Sequence, residues 1–222
     1  MSGDLLKMLL NGTKETLYMV SISSIIALIL GIPIGISLVV TDKGGIYPLI
    51  KVNKVIGIFI NIIKSMPEMI LIIILLPLAK LIVGTTLGAN AAIISISIGS
   101  APLIARIIEN SLKEIEFGKI EAAEAMGATS FEIITKVLIP EALPSIIRGI
   151  TIAIIGIVGF TAIAGAIGAG GLGSLAIRFG YQRFRTDILI GTVLILLVVV
   201  QLLQFIGDFI ARLINKKRYK FE

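Results

Sequence analysis

Lys64 and Glu68 stand four residues apart in a stretch that is otherwise apolar, VIGIFINIIKSMPEMILIIILLPLA, residues 55–79. An ionisable group inside such a run is costly and marks function by default. The plainer alternative is an ion pair one helical turn apart, weakened by Pro67 between the two residues. Ser95, Ser97 and Ser100 add hydroxyls to the next apolar run. They can face a polar path, although serines in such helices more often bond back to their own backbone. Bond-making chemistry has little else to draw on. The chain has no His and no Cys, which excludes a typical zinc site, a thiol nucleophile and an imidazole base. The Gly-rich run GFTAIAGAIGAGGLG, residues 159–173, lacks the Lys-Ser or Lys-Thr ending of a nucleotide-phosphate loop, and no such loop occurs elsewhere. No acid pair lies at depth in the apolar runs to serve an intramembrane enzyme. The chain is therefore expected to have no catalytic residue, to bind no metal or cofactor, and to take any ATP-driven work from another subunit.

The elements that carry these residues follow from the hydropathy. Of 222 residues 56% are hydrophobic and 15% charged, and the mean hydropathy is +1.05, far above the globular norm. About 20 apolar residues cross a bilayer as helix. Five stretches meet that requirement: 16–41, 55–79, 81–105, 149–177 and 188–207. The expected class is an all-α polytopic membrane protein with a single transmembrane domain, residues 1–222. The boundary between the second and third stretches is weak, with Lys80, Gly84 and Gly88 suggesting a short turn. Ahead of the first, Leu5, Leu6, Leu9 and Leu10 share a helical face and suggest a short interfacial helix; a frayed start fits equally well. No basic region close to Met1 and no small-x-small site mark the first stretch as a cleaved leader. If residues 106–148 are cytoplasmic, 13 basic residues lie inside and 6 outside. That bias puts the N-terminus out and the C-terminus in, against the pull of Arg178, Arg183 and Arg185 outside.

Residues 106–148 are polar where the rest is not. They hold seven of the fourteen acids: Glu109, Glu114, Glu116, Glu121, Glu124, Glu132 and Glu141. A loop this long has structure of its own. Lys119–Met126 is a strong helix former with Ala122 and Ala125 on one face. Gly127 suits a left-handed C-terminal cap. Thr129 followed by Glu132 is a capping box that restarts a helix, and Pro140 and Pro144 are expected to close the segment. Small residues on an exposed helix admit close approach of another surface. That surface is either the protein's own cytoplasmic face or a docked partner. GIPIG at 31–35 and GTTLG at 84–88 are small-xxx-small patterns of the kind that mark helix–helix contact. In residues 159–173 the glycines serve close packing or end the helix in a re-entrant turn.

Glu121-Ala122-Ala123, Gly127 and the following IPEALP resemble the EAA motif of bacterial ABC-type importer permeases. KSMP at 64–67, IVGTTLG at 82–88, APLIARIIENSLKEI at 101–115, EAMGAT at 124–129, KVLIPEALP at 136–144, GAGGLG at 168–173 and QFIGD at 204–208 extend the likeness over about 16–208. Together they resemble the permease subunit of methionine importers. Glu68 departs from that pattern, which usually has an apolar residue there. The resemblance implies a type I importer permease fold with a cytoplasmic coupling helix. Glu121, Ala122, Ala123, Met126 and Gly127 would contact the ATPase subunit. A pathway or gate would be formed near Met66, Ser97, Phe160, Thr161 and Ile163. It also implies a homodimer of this chain in the membrane, two copies of an ABC ATPase that hold ATP and Mg, and an extracytoplasmic substrate-binding lipoprotein. Import of another amino acid or small polar solute stays open. An ion-coupled carrier is the rival class, but it would show ionisable relays and inverted repeats.

Overall fold

The computed structural model describes residues 2–218, and the described residues with assigned secondary structure are helical. Helix α1 is Ser2–Val40, α2 is Ile50–Lys64, α3 is Glu68–Val83, α4 is Ala89–Lys113 and α5 is Phe117–Ala125. Helix α6 runs Ser130–Ala166 with a π-turn at Ile133–Leu138. Helix α7, Gly171–Leu175, passes into a π-turn at Ala176–Tyr181, and α8 is Thr186–Arg218. Lys220, counted in the inner basic cluster, lies outside the described residues. Four helices, α1, α4, α6 and α8, are long and apolar enough to cross a membrane. The α2–α3 pair supplies a fifth span if its two pieces count as one.

Prolines decide two departures from the expected spans. Pro67 has no N–H and disfavours helix at Met66. The stretch 55–79 therefore breaks at Ser65–Pro67, and its two halves diverge by 110°. At Pro140 and Pro144 the expected stop is absent, and α6 runs on through both residues. The π-turn ends two residues before Pro140, widening the coil where the proline ring would crowd the carbonyl of Lys136. The polar segment and the fourth span are thus joined by one continuous helix. The N-terminal segment, too, is continuous with the first span. Leu9 in it is buried, while Leu6 and Leu10 stay exposed.

The core lies where α1, α4 and α6 meet, on Met19, Ala27, Ile104, Ile108, Ala153 and Ile157. Gly31 and Gly35 set the α1–α4 distance. A Cβ on Gly31 would come within 2.9 Å of the Ala101 carbonyl oxygen, and one on Gly35 within 2.6 Å of that of Ala105. GIPIG is therefore a helix-contact stripe that admits Ile104 and Ile108 and the backbone of α4 at Ala101 and Ala105. GTTLG is not. Gly84 caps α3 and Gly88 precedes α4, both at positive φ, with open space around them.

Candidate functional site

Two ends of the bundle can be told apart. At one end the Gly88 N–H donates to the Gly168 carbonyl at 3.0 Å. There Glu15 accepts from the Gly171 N–H at 2.7 Å and Thr16 Oγ1 from the Leu172 N–H at 2.9 Å. The start of α1 therefore fixes the Gly-rich turn that ends α6. At the other end lie the 41–49 turn, the end of α4, all of α5 and the start of α6, with Asn215 of α8 beside Glu114, Lys119 and Glu141 around a cleft of about 360 Å³.

The polar insert is built at this second end. Helix α5 closes on Gly127 at φ +79. The Ala128 N–H donates to the Ala123 carbonyl at 3.1 Å, and the Gly127 N–H to that of Glu124 at 2.9 Å. This pair of bonds is a Schellman motif, which needs the left-handed backbone that glycine adopts without strain. Two residues on, Thr129 Oγ1 accepts from the Glu132 N–H while Glu132 Oε2 accepts from the Thr129 N–H at 3.1 Å. This reciprocal capping box starts α6. Ala123, Ile133 and Leu138 are buried in the insert; the Lys119–Glu141 ion pair ties α5 to α6, and Ser145 of α6 donates to Glu114, just past α4, at 2.8 Å.

What remains outward is the candidate contact surface. Glu121, Ala122 and Gly127 are exposed, and Met126 is 82% exposed. Ala123 is the exception: it faces the body. Phe131, 74% exposed, follows Met126 by five residues and is not part of the motif. Its signal is a large aromatic two residues after the Thr129 cap in a polar segment. Behind this surface lies a cavity of about 460 Å³ between the 39–46 turn, the end of α4 and α5.

The pathway candidates do not converge. Ser97 donates to the Ile93 carbonyl at 2.6 Å and Thr161 to that of Val158 at 2.7 Å, both within their own helices. Phe160 is buried. Met66 is half-buried in the α2–α3 bend, and Ile163 is half-buried on α6. Ile163 shares a stripe with exposed Ile152 and with Gly156 and Gly159, where an added Cβ would meet nothing within 4 Å. Helix α6 therefore keeps one open, small-residue face. Lys64 and Glu68 form no ion pair with each other among the described salt bridges, because the break at Pro67 takes them off a common helix. Glu68 begins α3, where an acid is favoured by the helix dipole.

One charged cluster lay outside the sequence reading. Glu109, 8% exposed in its side chain, accepts from Arg106 at 2.6 Å and from Lys113 at 2.9 Å. Lys113 also reaches Asp42 at 2.7 Å, and Arg106 donates to Asn61 Oδ1 at 2.7 Å. The spacing 106, 109, 113 puts three of these groups on one helical face, which sequence could have flagged. Asn61 and Asp42 carry no such signal.

Comparisons with known proteins agree with this geometry. The family described as binding-protein-dependent transport system inner membrane component matches residues 27–220. A probable D-methionine transport system permease protein of Vibrio cholerae is 44% identical over 95% of this chain and 93% of its own length. The methionine import system permease protein of Bacillus subtilis is 48% identical over 93% of both chains. Among solved structures, a chain of the MetNI methionine ABC transporter in an inward-facing conformation superposes with a TM-score of 0.94 at 41% identity, over 96% of this chain and 99% of that one. An amino acid ABC transporter solved with histidines shares the fold at 19% identity and a TM-score of 0.78. By its sequence over residues 27–220 and by its helical frame, the chain belongs to the family of binding-protein-dependent transport system inner membrane components.

Proposed function

We propose that this chain is the membrane-spanning permease subunit of an ABC importer for methionine, forming the translocation pathway while a separate subunit hydrolyses ATP. The observation that carries the reading is the outward-facing turn at Met126–Gly127. It is stiffened on both sides by hydrogen-bonded caps and is joined through α6 to the membrane core without a break. A rigid, exposed element of this kind transmits a push from a docked partner into the spans. The names of the relatives and of the superposed transporter supply the substrate.

In this reading two permease chains associate about a two-fold axis, the commonest closed symmetry, and the open stripe at Gly156, Gly159 and Ile163 supports a facing surface there. Glu121, Ala122, Met126 and Gly127, with Phe131, meet the ATPase subunit, which holds ATP and Mg. Ala123 supports them from behind. ATP acts by binding the closed ATPase pair better than the open pair, and so shifts the whole assembly. A substrate-binding lipoprotein delivers the ligand at the opposite end. The positive-inside bias supports placing the N-terminus outside and the C-terminus in the cytoplasm. The chain itself is not an enzyme.

The test is uptake of labelled methionine into proteoliposomes holding this chain, its ATPase and the binding protein. Accumulation that needs ATP and is displaced by unlabelled methionine is expected. Intact assembly and ATP hydrolysis with no methionine uptake would move the substrate to another amino acid. Failure of the ATPase to co-purify would overturn the docking reading.

A further inference from the structure

Helix α2 is poorly held by apolar packing. Ile60 is its one buried side chain, in a small cluster with Leu38 and Ala105. What fixes α2 is polar. Asn53 Nδ2 donates to the Leu38 carbonyl at 2.6 Å and to Thr41 Oγ1 at 3.1 Å, tying the start of α2 to the end of α1. Arg106 donates to Asn61 Oδ1 at 2.7 Å and to the Gly57 carbonyl at 3.4 Å, tying its last two turns to α4. Arg106 is held in turn by buried Glu109, which also holds Lys113. Lys113 reaches Asp42 in the turn between α1 and α2. Lys113 is the last residue of α4, and α5 starts at Phe117.

We propose that Glu109 is a positioning residue for transport: it is the hub of an ionic tether that makes α2, and α3 beyond the bend, follow α4 when the coupling segment moves. The proposal rests on the importer reading above and names how that motion is passed on. The physics is that of a charge-balanced cluster around one buried carboxylate. Arg106, Glu109 and Lys113 share one face of α4, and Asp42 adds the second carboxylate from the 41–49 turn, so each charge has a partner. Removing the central carboxylate leaves Arg106 without its ion-pair partner in a half-buried site, while Lys113 keeps Asp42. Arg106 then loses the group that aims its guanidinium at Asn61, and α2 keeps the apolar contacts of Ile56 and Ile60 and the Asn53 anchor. A planar guanidinium held on both sides links two helices at fixed distance and angle, which a lysine would not do.

The chain lacks cysteine, so a spin-label pair can be introduced without background. Labels at Lys54→Cys on α2 and Asn110→Cys on α4, both exposed, report the distance across the tether in the membrane-embedded complex with its ATPase. The native tether predicts a narrow distance distribution without nucleotide. Glu109→Gln is expected to broaden it and to lower uptake at least tenfold, while ATP hydrolysis continues. Glu109→Asp is expected to recover part of both. Asn61→Ala leaves the Glu109 ion pairs intact and frees only the α2 end. It is expected to broaden the distribution in the same way and serves where Glu109→Gln does not assemble. A narrow distribution in Glu109→Gln or in Asn61→Ala would overturn the proposal, as would native uptake in Glu109→Gln. The width is read without nucleotide or substrate, so it judges the tether separately. Absence of ATP-driven uptake in the unmodified complex would instead count against the importer reading.

Discussion

At Gly127 the backbone stands at φ +79, and a Cβ would meet nothing in the chain within 4 Å. A β-branched residue there carries a conformational cost of ~1–2 kcal/mol, borne by the Schellman turn alone. Gly127→Ile is therefore expected to insert and fold yet to hydrolyse ATP without driving uptake. Full uptake in proteoliposomes would refute docking at this turn. Asp42 makes a second prediction. The Lys113 ammonium, and then the Lys43 backbone N–H, hold its carboxyl below its ordinary 3.8. A lowered carboxyl stabilises the fold above its ordinary pKa, and that contribution is lost as pH falls through the lowered one. The thermal stability of the solubilised protein should exceed that of Asp42→Asn at pH 6, with the gap closing below about pH 4. A gap that does not shrink between pH 6 and pH 3 would mean that the Asp42–Lys113 contact is not what stabilises this turn.

Helix contacts follow residue size. Gly35 faces the Ala105 carbonyl at a separation that no Cβ tolerates, and backbone cannot swing aside as a side chain can. Gly35→Ala is expected to cost ~1–3 kcal/mol by overpacking, read as a lowered unfolding temperature. Gly159→Ala adds a methyl where there is open space and improves helix propensity by up to ~1 kcal/mol. The isolated chain should tolerate it or gain from it. A reversed order of the two variants would mean that α1 and α4 are packed differently. Prolines show the same dependence on surroundings. Pro67 breaks its helix, whereas Pro140 sits in a continuous one because a π-turn opens the coil ahead of it, and Pro144 lies further along the same helix.

The bundle leaves its small-residue face on α6 uncovered, and a single chain of four or five spans encloses little. A second copy seated on that face would put Gly156, Gly159 and Ile163 at the two-fold axis. Gly159→Leu is then expected to fold as a chain but to weaken the dimer, detected by cross-linking through Ile163→Cys. Undiminished cross-linking and uptake in that variant would place the axis elsewhere. Of Arg178, Arg183 and Arg185, two have local partners: Arg185 pairs with Asp187 at 2.6 Å, and Arg183 lies 4.9 Å from the Phe179 ring centroid.

Hydropathy alone determined the all-α membrane class, because a bilayer core leaves a 20-residue apolar run little choice but helix. Local chemistry likewise determined the caps of the polar segment around Gly127. The left-handed turn needs Gly127, and the box needs only Thr129 and Glu132, all within a few residues. GIPIG gave a true helix contact. Tertiary structure decided the rest. GTTLG has the same pattern but caps a turn, with both glycines at positive φ and open space where a Cβ would stand. Phe160 and Thr161 turned inward, whereas Ile163 stayed on the open face, a difference set by which side of α6 meets α1 and α4. The tether joins Asp42, Asn61 and Glu109 across separations in sequence that carry no periodic signal. Such a cluster forms only once α2 has folded back across the ends of α1 and α4, because charges find partners by position in space and not by spacing along the chain.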